Sequence, residues 1–201
     1  MRKESAGVTE TLLESAKKEF LRCGFRDASL RRISANCGVS TNSIYTRFGD
    51  KNGLFNAIVK EPADTLLDIY IDSINRAAHA SDVDAASDVG DEGLDAVLAY
   101  IYRHIEEFKL IFCCSAGTEY ETYFDRLAAI EEAYYKNMVK QFAVENHKVD
   151  DFFIHVCCRN GWQCMYELIS HDRTYEQAKM LMENVREFDY AGWKSVIGLK
   201  P

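Results

Sequence analysis

Residues 24–54 constrain the fold of this chain most strongly, because they predict two short helices joined by a tight turn. Ile33 and Cys37 lie four residues apart, as expected on one face of a short helix that Ser29 can cap. Gly38 supplies the backbone freedom that is needed to leave that helix. The spacing of these residues is typical of a helix-turn-helix.

The second helix of this pair is predicted over residues 41–48, after a cap at Ser40. Ile44 and Phe48 are four residues apart and point into a small core. The other side chains form an outer face of short polar groups, one phenol and one guanidinium, which suits the major groove of duplex DNA. These outward residues are Thr41, Asn42, Ser43, Tyr45, Thr46 and Arg47.

The next helix is predicted to start at an Asp50 cap, with Lys51 in its first turn. A helix N-terminus disfavours a cation, because the macrodipole is positive there. A bound phosphate next to the exposed N–H groups would offset that penalty. The alternative reading, a lysine that is simply solvated, stays open.

The apolar pattern of the first residues extends this segment. The segment SLRRISANCGVSTNSIYTRFGDKNGLF follows a pattern of apolar residues and one glycine: Leu12, Ala16, Phe20, Gly24 and Phe25. Over about residues 8–60, this pattern resembles the N-terminal domain of the TetR/AcrR family of bacterial transcriptional repressors. The resemblance implies an all-α protein with a three-helix helix-turn-helix DNA-binding domain over residues 1–60 and a larger helical effector-binding and dimerisation domain over residues 61–201.

Charge is distributed unevenly along the chain, whose formal net charge is −8. Residues 1–62 hold 11 Lys and Arg against 7 Asp and Glu, whereas residues 63–201 hold 13 against 25. A basic amino-terminal part attached to an acidic body keeps attraction to phosphate local. The balance therefore favours double-stranded DNA as a partner of the first domain.

The body of the chain is predicted to be helical, because only two prolines interrupt 201 residues. Residues 81–93 are acidic, small and glycine-bearing, and we interpret them as a surface loop. The last two helices carry residues 152–170 and 175–199. The resemblance implies that they form a four-helix bundle in a homodimer that matches a palindromic operator; the alternative is an intramolecular hairpin.

Aromatic side chains are dense in this body, and two interpretations apply. One is ordinary core packing; the other is a pocket for an unknown hydrophobic or aromatic effector. The residues predicted to line such a pocket are Tyr70, Ile101, His104, Phe108, Phe112, Tyr123, Leu127, Tyr134, Trp162 and Tyr166.

The seven cysteines do not follow a secreted disulfide framework, so a reducing cytoplasm is expected. The adjacent pairs Cys113–Cys114 and Cys157–Cys158, the second with His155 nearby, could ligate a soft metal or act as a redox switch, but buried structural thiols are the commoner outcome. We therefore expect no metal and no cofactor. Nothing in the sequence resembles a catalytic constellation or a membrane span, so neither an enzyme nor a membrane partner is expected.

The sequence thus predicts a dimeric repressor that a small molecule releases from DNA; an interaction protein or co-activator without ligand control is the alternative. The predicted phosphate contacts are Ser29, Tyr45, Arg47 and Lys51, with help from Arg2 and Lys3. The predicted base-reading residues are Arg31, Thr41, Asn42, Ser43 and Thr46. Asn42 suits adenine and Arg31 suits guanine, while Arg47 and Thr46 could exchange roles.

Overall fold

The computed structural model describes residues 6–145 and 147–199. These residues form α-helices joined by short connections, and no strand occurs within the two described ranges, which confirms the all-α prediction. The helices are α1 Ala6–Asp27, α2 Leu30–Asn36, α3 Thr41–Phe48, α4 Lys51–Ala78, α5 Val83–Arg103, α6 Ile105–Cys113, α7 Tyr123–Phe142, α8 Asp151–Ser170 and α9 Tyr175–Val196, with a 3₁₀ turn at Glu119–Thr122 before α7.

The described residues divide into two compact units. The first runs to Asp64 and includes His104–Tyr123; the second holds Thr65–Arg103 and the residues from Phe124 onward. Helix α4 continues without a break through Pro62 and contributes residues to both units. The domain boundary expected at residue 60 is a functional assignment and stays a prediction.

An aromatic cluster holds the first unit together. The rings of Phe20 and Phe55 meet edge to face with centroids 5.1 Å apart, and Phe25 lies 5.5 Å from Phe55. Leu12 and Ile33 are fully buried around them. Burial of side chains of this kind contributes about 1.5–3 kcal/mol each, so α1, α2 and α4 are fixed against one another largely by this apolar core.

The expectation of a loop over residues 81–93 is wrong, because α5 begins at Val83. The Asp82 carboxylate accepts a hydrogen bond from the Ala85 N–H at 2.9 Å and so supports the first turn. The acidic side chains are paired rather than only solvated: Asp84 accepts hydrogen bonds from Tyr190 and Lys194 of α9. The small residues permit close packing instead of disorder.

Candidate functional site

The turn between α2 and α3 has the geometry that the sequence predicts. The Ser29 hydroxyl accepts the Arg32 N–H at 3.4 Å, and Gly38 has a φ of +65°. Ser40 occupies the cap position of α3 but makes no side-chain cap bond. Its hydroxyl instead lies 3.3 Å from the Ser43 hydroxyl. The prediction that the Ser40 side chain caps α3 is therefore wrong, although Ser40 does occupy the cap position.

A buried carboxylate, which the sequence analysis did not identify, fixes the start of α2. Glu19 is only 4% exposed, and one of its oxygens accepts the Ser29 N–H at 3.1 Å. The same carboxylate forms ion pairs with Arg22 and Arg32. Because a buried charge is tolerated only when it is paired and hydrogen-bonded, Glu19 ties α2 to α1 at one defined position.

Helix α3 presents a polar face to the exterior. Tyr45 is 51% exposed, and Asn42 and Thr46 are exposed as well, whereas Ile44 is fully buried. The Thr46 hydroxyl donates to the Asn42 carbonyl at 2.9 Å. The Thr41 hydroxyl lies 3.3 Å from that of Ser34 on α2. This division between a buried and an outward face is what a groove-reading helix requires.

The predicted cationic contacts lie around this helix. Arg31 is exposed on α2, while Arg47 is half-buried and donates to the Ser43 carbonyl and to the Thr9 hydroxyl. Lys51 donates from Nζ to the carbonyls of Arg26 and Ala28, at 3.0 and 3.3 Å. Lys51 therefore satisfies carbonyls at the end of α1, a role that the sequence analysis missed. Arg2 and Lys3 lie outside the described residues.

The second unit encloses a cavity of about 190 Å³ between its helices. Three of the residues predicted for a pocket line it: Tyr70, Trp162 and Tyr134. Ile101 and Leu127 are buried, but they and Tyr166 do not line this cavity. The remaining predicted residues, His104, Phe108, Phe112 and Tyr123, belong to the first unit.

Charged groups that the sequence analysis did not anticipate also line the cavity: Asp91, Glu131, Arg186 and Asp189. Burial raises the pKa of Glu131 to about 8, with the negative charge of Asp189 adding to the shift and the nearby Tyr70 hydroxyl opposing it. Burial also raises the pKa of Asp189. A helix pattern predicts such residues on a solvated face, which is why no local signal pointed to them.

Four cysteines, Cys114, Cys157, Cys158 and Cys164, lie in environments that raise the thiol pKa and so disfavour the reactive thiolate. Burial raises the pKa of Cys114, and it also raises that of Cys158, where the charge of Glu131 adds to the effect. Over the part of the chain that the structure describes, no three His, Cys, Asp or Glu side chains are grouped as metal ligands. Within the same residues, no helix is both long and apolar enough to cross a bilayer.

The α2–turn–α3 arrangement, with the outward polar face of α3, is a helix-turn-helix. Residues 12–58 match the family model described as bacterial regulatory proteins, tetR family. The match covers the helix-turn-helix part of the chain and agrees with the sequence resemblance to this family.

Two curated relatives are also similar to this chain. The chain is 33% identical over 60 residues to the HTH-type transcriptional repressor AcnR of Corynebacterium glutamicum, which covers 30% of this chain and 32% of that protein. The chain thus matches about a third of the length of AcnR. It is 28% identical over 158 residues to the uncharacterised HTH-type transcriptional regulator YvdT of Bacillus subtilis, which covers 75% of this chain and 74% of that protein.

Solved structures share the fold over nearly the whole chain. A TetR-like transcriptional regulator from Rhodococcus sp. RHA1 superposes with a TM-score of 0.59 at 16% identity and covers 98% of this chain and 100% of that one. A TetR-family regulator from Syntrophomonas wolfei gives a TM-score of 0.59 at 14% identity, with 96% of each chain covered. These likenesses concern the fold alone.

Proposed function

We propose that this protein is a dimeric transcriptional repressor that binds double-stranded DNA through α3 and leaves it when a small effector occupies the cavity of the second unit. The observation that carries the proposal is the outward polar face of α3, with Tyr45 51% exposed beside exposed Asn42 and Thr46. These exposed side chains contribute little to the stability of the fold. Their donors and acceptors do match those of the base edges.

In the proposed complex, α3 enters the major groove. Asn42 forms a bidentate pair with adenine, and Arg31 contacts guanine from the first turn of α2. Thr41, Ser43 and Thr46 read neighbouring positions, while Ser29, Tyr45, Arg47 and Lys51 hold phosphates. Lys51 Nζ already donates to the carbonyls of Arg26 and Ala28 near the end of α1. In the proposed complex, it keeps these two contacts and also contacts a phosphate.

The proposed dimer uses the last two helices. Exposed apolar side chains on α8 and α9 include Phe152 at 72%, Met180 at 66% and Phe188 at 79%. Large apolar groups that a second copy covers would gain about 25 cal/mol for each Å² removed from water. By contrast, Gly161 lines the cavity and Leu168 is buried, so these two α8 residues pack within their own chain.

Release is proposed to act through α4. This helix starts directly after the α3 turn and carries Tyr70, which lines the cavity. In this proposal, the protein has two conformations that differ in the position of α4. An effector that binds one of them more tightly shifts the population toward it. In that conformation, the two recognition helices of the dimer are at a separation that does not match the operator. Repression would then end because both half-sites, about 34–36 Å apart, can no longer be occupied together.

Arg47→Ala tests the phosphate contacts. We expect about tenfold weaker binding to every duplex and a salt slope reduced by about one, because one phosphate contact is lost. Fluorescence anisotropy on duplexes selected by the protein from a random pool measures both. The matched control is Lys60→Ala, an exposed cation of α4 paired with Asp64. Equal effects of the two substitutions would show that Arg47 acts only through net charge.

Asn42→Ala tests base reading. We expect a loss of preference at one base pair, worth about 1–3 kcal/mol, because a bidentate contact to one base is removed. Affinity is measured against a panel of selected duplexes with each position changed in turn. Asn36→Ala, at the exposed end of α2, removes the same side chain outside α3 and leaves preference unchanged. Parental selectivity in the Asn42 variant would remove this assignment.

The alternative is an interaction protein or co-activator without ligand-controlled repression, and the exposed apolar groups of α8 and α9 would also suit a partner protein. Titration of small molecules into a protein–DNA complex separates the two. Release of DNA by a compound that binds the cavity supports the repressor, whereas stable DNA binding with the cavity occupied supports the alternative.

A further inference from the structure

We propose that the cavity of the second unit takes a small organic cation, an ammonium group attached to an aromatic or aliphatic body, with Glu131 and Asp189 as its counter-charges. This inference deepens the proposed function and rests on it for the biological role, because it names the chemical class of the effector.

The first argument is charge. Three carboxyl groups, from Asp91, Glu131 and Asp189, line the cavity together with one guanidinium, from Arg186. That guanidinium is already engaged, since it pairs with Asp91 and with Asp95. Within the described residues, no ion pair engages Glu131 or Asp189. The cavity therefore presents two acidic groups, Glu131 and the solvent-exposed Asp189, that have no counter-charge among the described residues.

The second argument is an unsatisfied polar cluster. Three buried atoms have no hydrogen-bond partner among the described residues: the Oε2 atom of Glu131, the hydroxyl of Tyr70 and the Nε atom of Arg186. A buried polar atom without a partner costs about 1–3 kcal/mol, so native proteins leave few of them. All three atoms belong to residues that line the cavity, but only the charge of the Arg186 guanidinium is balanced by carboxylates, those of Asp91 and Asp95. A cation placed there would provide the favourable interaction that the protein itself does not supply.

The third argument is the aromatic wall. Tyr70 and Trp162 meet edge to face with centroids 5.1 Å apart, and Tyr135 stacks on Trp193 at 4.4 Å. All four rings line the cavity. Ring faces attract cations, especially where water is excluded, and they disfavour anions. Carboxylates and aromatic faces in one cavity thus select the same sign of charge.

Size limits the ligand to a small molecule. The cavity measures about 190 Å³. An apolar cavity of about 150 Å³ in another protein admits benzene. A single ring with a short ammonium substituent therefore fits without displacing helices, whereas a long-chain or multi-ring cation requires expansion.

The pKa of Glu131 supports this reading and adds an observable. Its pKa is raised to about 8 by burial and by the charge of Asp189, so much of the carboxyl is protonated at pH 7 in the empty protein. A fixed cation binds the ionised form, and its apparent affinity falls with the fraction of protein in that form. We expect about tenfold tighter binding at pH 9 than at pH 7, with little further gain above.

Titration of other groups near Glu131 does not produce the same increase in cation affinity between pH 7 and pH 9. Burial raises the pKa values of Tyr70, Tyr134, Tyr135, Cys157 and Cys158, so these groups hold their protons more firmly than usual. Asp91 stays paired with the guanidinium of Arg186. Asp189, whose own pKa is raised, is the one acidic neighbour that needs a separate variant.

Isothermal titration calorimetry of the full chain without DNA tests the inference with three probes. Benzyltrimethylammonium carries a fixed charge, neopentylbenzene is its neutral isostere, and phenylacetate is an anion of similar size. We expect the cation to bind at least tenfold more tightly than either of the others. Equal binding of the neutral isostere, or preference for the anion, would overturn the assignment.

Glu131→Gln supplies the decisive variant, because it keeps the shape of the side chain and removes its charge. We expect at least tenfold weaker binding of benzyltrimethylammonium and no dependence on pH between 7 and 9. Asp189→Asn is expected to weaken binding and to keep a pH dependence that moves to lower pH, because the charge of Asp189 contributes to the raised pKa of Glu131. Glu132→Gln is the matched control: Glu132 is the next residue on α7 and pairs with Lys136 outside the cavity lining, so binding should not change.

The two proposals can fail separately. A protein that binds selected DNA but shows no preference for the cation overturns the ligand class and leaves the regulator in place. A protein that binds the cation through Glu131 but no DNA overturns the proposed function and leaves the cation site in place. Thermal melting of each variant excludes misfolding, since Glu131→Gln removes an unpartnered buried carboxyl and should not lower the melting temperature.

Discussion

Gly53→Ala is expected to abolish selective DNA binding and to lower the free energy of unfolding by about 3 kcal/mol, at the upper end for an overpacked site. A Cβ atom at Gly53 would lie 1.8 Å from the carbonyl oxygen of Phe48, the last residue of α3. A backbone atom cannot move aside as a flexible side chain does. The α3–α4 turn must open, and α3 with its outward face must shift.

Urea denaturation followed by circular dichroism measures the loss of stability, and anisotropy on selected duplexes measures binding. Loss of two base contacts at about 1–3 kcal/mol each corresponds to at least about a thirtyfold loss of affinity. Asn52→Ala is the control, because this exposed neighbour lies in the same first turn of α4. Parental stability and affinity in the Gly53 variant would contradict the close approach of α4 to Phe48.

Gly93→Ala is expected to lower the free energy of unfolding by about 2–3 kcal/mol through overpacking. A Cβ atom there would lie 1.6 Å from the Ser73 hydroxyl and 2.5 Å from the Ser73 Cβ. Ser73 is buried, so neither atom can turn toward solvent. Gly90→Ala, one turn earlier in α5, meets no atom within 4 Å and should stabilise the helix by up to about 1 kcal/mol.

A double-mutant cycle separates overpacking from a change in helix propensity. In Ser73→Gly, the nearest atom left at residue 73 would be its Cα at 3.8 Å, so the added methyl of Gly93→Ala should fit. We expect Gly93→Ala to cost much less in the Ser73→Gly background than in the parent. An equal cost in both backgrounds would mean that contact with Ser73 is not the cause.

The α2–α3 region could be predicted because its signals are local. Ser29, Gly38 and Ile44 each act through neighbours within a few residues, and the structure shows the cap, the positive φ and the burial that their types imply. Such short-range chemistry is encoded directly in spacing. The outward face of α3 follows from the same pattern, since it is what remains after the buried positions are assigned.

Residues 81–93 show why other parts could not be predicted. Their acidity suggested solvent, but Asp84 and Asp91 pair with cations of α9 about 100 residues later. Their small size suggested flexibility, but Gly93 is small because Ser73 lies against it. Long-range contacts of this kind leave no mark on local composition, so tertiary structure overrides the propensity of the segment.

The candidate sites divide in the same way. Tyr70, Tyr134 and Trp162 were predicted for a pocket because aromatic groups on a helical body are natural pocket walls. Glu131 was not, because a charged residue on an amphipathic helix is ordinarily solvated. Only the packed arrangement shows that its Oε2 atom is buried.

The most direct test of the outward role of α3 is selection of duplexes from a random pool, followed by hydroxyl-radical footprinting on the enriched sequence. We expect an inverted repeat whose half-site centres lie about 10 base pairs apart, because a two-fold dimer places two copies of α3 about 34–36 Å apart. The doubly substituted Asn42→Ala, Arg47→Ala protein should lose both the enrichment and the paired footprint. Enrichment of no sequence by the parent, or an unchanged footprint after both substitutions, would contradict DNA reading by this helix.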